Sequence, residues 1–180
     1  DVTHMGPHWE AGLSKFRSML YCVCGAANEI PQLRQRIRGD QVIEHAVVHP
    51  SFTTQTADEL FSFSHARFLP EYDAFDREVQ AAKQRAETHP QLADEPGKDD
   101  ELYISCLPWL HFEGLTYPVT TDKNDSVPRI TWGRVVSRGD QLVVSINLQA
   151  HHGLVDGLHM GRFFAALQRQ FDSFGERLRS

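Results

Sequence analysis

The chain has 180 residues, 41% of them hydrophobic, and a mean hydropathy of -0.41, which suits one soluble domain with room for a sizeable core. A net charge of -6 and a pI near 5.9 argue against nucleic-acid binding, whose footprint is a basic face, and no apolar stretch is long enough for a transmembrane helix. Cys22, Cys24 and Cys106 are an odd number without framework spacing, which places the chain in a reducing compartment, the cytoplasm.

In chain order, Asp1 to Gly12 reads as irregular, with Gly6-Pro7 marking a turn. Its first residues look like the end of a strand. Leu13, Phe16, Leu20, Val23 and Ala27 share one helical face, and Pro31 ends that run. Cys22 and Cys24, two apart on this helix, point to different faces and make a poor metal clip. All three cysteines read as buried small hydrophobes. Arg38-Gly39-Asp40 turns the chain into a strand from Gln41 to Val48, which Pro50 breaks. Ser51 to Thr54 starts another strand, Ala57-Asp58-Glu59 suits a hairpin loop, and Leu60 to Phe68 returns. Pro70 opens a second helix, with Tyr72, Phe75, Val79, Ala82 and Ala86 as its buried stripe.

His89 to Asp100, with two prolines, a glycine and several acids, reads as a loop. Strands follow at Leu102 to Trp109, Leu115 to Val119 and Ile130 to Ser137. Arg138-Gly139-Asp140 repeats the earlier tripeptide, and both copies fall where a tight turn is needed, so cell adhesion is not inferred from them. Leu142, Val144, Ile146, Leu148 and Ala150 then alternate with polar residues as a half-buried strand. Met160, Phe163, Phe164, Leu167, Phe171 and Phe174 form the apolar stripe of a last helix. Helices, mixed strands and a final helix without strict alternation give an α+β fold with one large mixed β-sheet.

Between the last strand and the last helix stands His151-His152-Gly153-Leu154-Val155-Asp156-Gly157. A histidine at the end of a rigid strand is well placed to act as a positioned base. This stretch resembles the HHxxxDG motif of the CoA-dependent acyltransferases, and the chloramphenicol acetyltransferase family in particular. Ser105-Cys106-Leu107-Pro108-Trp109 and Pro128-Arg129-Ile130-Thr131 are similar to two further strands of that family, in the same order. The resemblance spans nearly the whole chain, read as a single acetyltransferase domain over residues 1–180. It also implies that the family's leading helix and first strand lie upstream of Asp1, where a targeting signal could also stand. The family fold places helices on one side of the sheet.

What the resemblance implies for chemistry is specific. His152 is the general base for an acceptor hydroxyl, acetyl-CoA is the donor, Ser105 stabilises the oxyanion and Thr131 holds a water beside it. Alternation along a strand sets His151 apart as structural. Asp156 either orients His152 or caps the final helix; the resemblance favours the cap, paired with an arginine of the first strand. Phe112, Leu115 and Tyr117, around Trp109, line an apolar acceptor pocket or pack the core. The family works as a homotrimer with its site between subunits. His151, His152, Asp156 and His159 could instead form a metal site, but no HExxH or paired-cysteine spacing supports one, and no metal is expected. The expected activity is acetyl transfer to a hydroxyl of chloramphenicol or a similar small acceptor. Another HHxxxDG acyltransferase, such as a lipoamide acyltransferase core, and a catalytically silent ligand- or partner-binding relative are the alternatives.

Overall fold

A computed structural model of the chain describes residues 1–56, 60–90, 97–118, 122 and 124–178. Two short helical turns open it, Thr3–Met5 and α1 (Gly6–Glu10), where an irregular segment is expected from the sequence. Pro7 accounts for the difference: in the first turn of a helix its missing N–H costs no hydrogen bond. Val2 donates to the Leu142 carbonyl at 2.8 Å without joining a strand. The helix α2 (Lys15–Asn28) begins at Ser14, whose hydroxyl accepts from Arg17 N. It is buried along almost its whole length and forms the centre of the core. α3 (Tyr72–Thr88) and α4 (Gly157–Asp172) pack beside it, and α5 (Phe174–Arg177) ends the described chain.

Nine strands are described: β1 (Gln35–Arg38), β2 (Gln41–Glu44), β3 (His49–Gln55), β4 (Phe61–His65), β5 (Glu101–Cys106), β6 (Arg129–Trp132), β7 (Val136–Arg138), β8 (Gln141–Val143) and β9 (Ile146–Gln149). Five of them form the central sheet, ordered β4-β3-β5-β6-β9. β5 pairs in parallel with β3 and β6, and the two outer pairs are antiparallel. The α+β mixed sheet expected from the sequence is therefore present. Phe52, Leu102, Ile104, Ile130, Trp132 and Leu148 supply its core face, against which the helices pack. The alternate residues, among them Thr53, Ser105, Thr131 and Asn147, form the other face.

Several boundaries differ from those read off the sequence. The strand expected at Gln41–Val48 is a β1–β2 hairpin, and β3 then runs straight through Pro50. The proline does not break it because its carbonyl still accepts, from Ala66 N at 3.2 Å. Both Arg-Gly-Asp turns close two-stranded hairpins, with Gly39 and Gly139 each at φ 61°. Ile130–Ser137 and Leu142–Ala150 are each interrupted, because β7 and β8 leave the central sheet to pair with each other. No strand forms over residues 115–118; Val119, Ala57–Glu59 and residues 91–96 lie outside the described residues. Phe164 is exposed rather than part of the buried stripe, which Ala166 and Gln170 complete. Cys22 and Cys24 are fully buried as expected, whereas Cys106 is only half-buried.

Candidate active site

Ser105 sits on β5, the middle strand, directly opposite Thr131 of β6, which in turn faces Asn147 of β9. Parallel pairing puts both hydroxyls on the face away from the helices. Tyr117, in the irregular stretch that follows β5, lies over them. It is held by a hydrogen bond from its backbone N to Gln149 Oε1 at 3.2 Å. The Tyr117 phenol makes a short hydrogen bond with Thr131 Oγ1 and is also hydrogen-bonded to Ser105. Burial pushes the phenol above its ordinary pKa, against the lowering effect of that Ser105 bond, so it is a neutral hydroxyl at physiological pH.

A cavity of about 240 Å³ opens beside Ser105, lined also by Ser51, Thr53, Phe63, Tyr103, Tyr117 and Arg129. The Arg129 guanidinium lies 5.5 Å from the centre of the Tyr103 ring and pairs with Asp125 at 2.6 Å. Of the three residues expected to line an acceptor pocket, Tyr117 lines this cavity and Phe112 and Leu115 do not. Phe112 packs against Gly133 instead. Tyr103 and Arg129 were missed by the sequence reading, although period-two alternation from Ser105 and Thr131 puts them on the same face.

A second cavity, of about 470 Å³, lies toward the helices and shares Phe52, Thr53 and Ile104 with the first. Lys15, Lys83 and Arg134 line it, with no carboxylate among the described residues, beside the apolar Phe16, Met19 and Trp109. Trp109 is 70% exposed, and Cys106 lies in the same wall with its thiol pushed up to about 11 by burial. Nothing in the local sequence marks these cations, since they come from three separate elements.

The histidine turn is built separately. His151 Nδ1 accepts from Gly153 N at 3.1 Å, and the His151 carbonyl accepts from Leu154 N and Val155 N, which fixes the turn. His152 is exposed, and its Nδ1 lies 3.3 Å from the Val155 carbonyl. A donated Nδ1–H there would leave Nε2 unprotonated, the form a base needs. Asp156 N-caps α4: its carboxylate accepts from Leu158 N and His159 N, while His159 Nδ1 accepts from Asp156 N. Those bonds, the one from His159 N first, hold the Asp156 carboxyl below its ordinary pKa. The side chain within ion-pair distance of Asp156 in the structure is that of His159, its Nδ1 3.0 Å from Oδ1. Among the described residues, no group of three or more His, Cys, Asp or Glu side chains is placed to hold a metal ion.

The sheet register separates His152 from Ser105. β9 runs antiparallel to β6, so the five residues from Asn147 to His152 lead away from Thr131, toward the start of β6. To the end of β9 at Gln149 this is about 7 Å at ~3.3 Å per residue, and three further residues carry the chain out of the strand to His152. The structure thus gathers Ser105, Thr131 and Tyr117 together, and leaves His152 and Asp156 at the other end of the sheet.

Comparison with known proteins fits this fold and these segments. The family model for chloramphenicol acetyltransferase matches residues 4–168. The chain belongs to the chloramphenicol acetyltransferase family. It is an acyltransferase, and the resemblance read from its three sequence segments is borne out. Chloramphenicol acetyltransferase 3 of Escherichia coli is 28% identical over 176 residues, covering 96% of this chain and 83% of that protein. Chloramphenicol acetyltransferase 2 of the same organism is 26% identical over 166 residues, covering 91% and 78%. In three dimensions, a chloramphenicol acetyltransferase superposes with a TM-score of 0.78 at 24% identity, over 93% of this chain and 82% of that one. A probable dihydrolipoamide acetyltransferase from Listeria monocytogenes reaches 0.74 at 19% identity, over 96% and 81%. At these identities the two structures bear on the fold alone.

Proposed function

We propose that this acyltransferase moves acetyl from acetyl-CoA to a hydroxyl of chloramphenicol or a similar small acceptor, with His152 as general base. The observation that carries this reading is the pair of cavities sharing a wall beside Ser105. The larger is cationic and partly apolar, which suits the phosphates, pantetheine arm and adenine of CoA. The smaller suits an acceptor. An alcohol is a weak nucleophile at neutral pH, so His152 Nε2 takes its proton as the oxygen attacks the thioester carbon. The resulting oxyanion accepts a hydrogen bond from Ser105, with Thr131 next to it. Collapse restores the carbonyl, breaks the C–S bond and releases the CoA thiolate, which takes the proton from the imidazolium. Ser105 lies against a phenol rather than an imidazole, which favours direct transfer over an acetyl-enzyme. The three free cysteines favour a reducing compartment such as the cytoplasm.

The separation of His152 from Ser105 within one chain gives the reading a quaternary consequence. A site that uses both takes His152 from one subunit and Ser105 from the next, as in a cyclic homotrimer with repeated head-to-tail interfaces. The test mixes two subunit types, His152→Ala and Ser105→Ala, by unfolding and refolding them together, and follows thiol release from acetyl-CoA with chloramphenicol. Each variant alone should lose about 100-fold or more in turnover. Mixed trimers contain interfaces with both residues intact, so activity should reappear well above the sum of the separate preparations. Activity that stays at that sum, with mixed trimers confirmed by mass, refutes the shared site. Full turnover by His152→Ala alone refutes its role as base.

A further inference from the structure

One peptide group joins the histidine turn to α4. The Val155 carbonyl lies 3.3 Å from His152 Nδ1, and the N–H on the opposite edge of the same peptide, that of Asp156, donates to His159 Nδ1 at 3.1 Å. His159 is the third residue of α4, and its side chain is only 18% exposed. A ring nitrogen that accepts carries no proton, so this bond is made by the neutral imidazole with its hydrogen on Nε2. The approach of the same nitrogen to Asp156 Oδ1 adds an ion pair only when the ring is charged, and that oxygen already accepts from Leu158 N and His159 N. Glu or Gln is the usual residue at this place in a capping box. Here a histidine fills it, three residues beyond Asp156 and seven beyond His152. The near side of the turn is pinned by the His151 carbonyl, which accepts from Leu154 N and Val155 N.

We propose that His159 is a positioning residue for His152: by holding the Asp156 N–H it sets the plane of the Val155–Asp156 peptide, whose carbonyl keeps the His152 proton on Nδ1. Accepting from the N–H of an amide also polarises its carbonyl, which strengthens the bond on the far edge by about 10–30%. His152 Nε2 is then left with the lone pair that takes a proton from an acceptor hydroxyl. Without the His159 bond the peptide is free to rotate, and the His152 proton is free to sit on Nε2, where it blocks that lone pair. The effect on turnover rests on the proposed role of His152 as base; the coupling of the two rings does not.

The test reads the protonated nitrogen of the His152 ring by heteronuclear NMR at about pH 8, above the ordinary histidine range. It compares the full chain with His159→Gln and His159→Leu, and the His152 signals are assigned by their loss in His152→Ala. The parent should carry the His152 proton on Nδ1. His159→Gln keeps an acceptor for the Asp156 N–H, so it should preserve that tautomer and hold kcat within about threefold of the parent. His159→Leu removes the acceptor; the His152 proton should move toward Nε2, and kcat should fall about three- to tenfold while KM changes by less than about twofold. A merely structural role for His159 would lower Tm without moving the His152 proton. A parent with that proton on Nε2 overturns the proposal, and this measurement needs no variant to fold. So does a His159→Leu protein that keeps the parent's tautomer, or a His159→Gln protein as impaired as His159→Leu. The tautomer is read without turnover, so a failure here is distinct from a failure of the general-base assignment, which the turnover of His152→Ala decides.

Discussion

Gly133 ties the geometry of the site to its stability, and Gly133→Ala is the sharpest single perturbation of both. It follows Trp132 at the end of β6, and a Cβ there would lie 2.6 Å from the Leu110 carbonyl oxygen and 3.1 Å from the Phe112 ring. That carbonyl is already fixed by a 2.6 Å hydrogen bond from Arg134 N. Relief to the 3.4 Å of an ordinary contact requires the two backbones to part by about 0.8 Å. Overpacking of this kind costs about 1–3 kcal/mol. For a chain of this size that lowers Tm by about 2–12 °C. The strain also reaches the chemistry, because Leu107 N bonds the Trp132 carbonyl at 2.9 Å and Ser105 lies two residues before it. Displacements near 1 Å can cost about 100-fold in rate. The β5–β6 pairing absorbs part of the shift, so a roughly tenfold fall in kcat is expected. Differential scanning fluorimetry and thiol release from acetyl-CoA measure the two effects. A variant with both Tm and kcat unchanged would show that the approach of Gly133 to Leu110 constrains nothing.

Arg36 is completely buried and donates to the carbonyls of Leu33, Gln35, Asp99 and Glu101, tying β1 to the start of β5. Arg36→Met leaves these acceptors without their donor, and a loss of about 3 kcal/mol or more in chemical denaturation is expected; a midpoint equal to the parent's would contradict it. For Asp156, the folded-state pKa is depressed, so its contribution is complete above the unfolded pKa and is lost as pH falls through the folded value. The Tm gap between the parent and Asp156→Asn should therefore hold down to about pH 5 and narrow progressively as the pH falls below that, and a gap that stays constant down to about pH 2 would exclude the carboxylate as its source. Cys106, its thiol pushed up to about 11 by burial, should react slowly with iodoacetamide at neutral pH and faster toward alkaline pH. CoA should protect it if CoA occupies the larger cavity; labelling indifferent to CoA would argue against that placement.

Local patterns made much of this legible in the sequence. Period-two alternation marked the strand before the histidine turn, family-like segments set Ser105 and Thr131 on strands, a 3.6-residue stripe marked the helices, and glycine marked the two hairpin turns at φ 61°. The cap at Asp156 was readable for the same reason, since capping joins groups two and three residues apart. These signals live within a few residues of one another. What the tertiary structure decided depends on which distant segments meet. Sequence spacing could not tell that β7 and β8 leave the central sheet, or that Pro50 lies inside a strand. It could not gather Lys15, Lys83 and Arg134 around one cavity, because each comes from a different element. Nor could it place the Tyr117 phenol on Thr131, fourteen residues away, or set His152 at the far end of the sheet from Ser105. Those facts follow from strand order and register, which are fixed by burying one face of the whole sheet against α2, α3 and α4 rather than by any local preference.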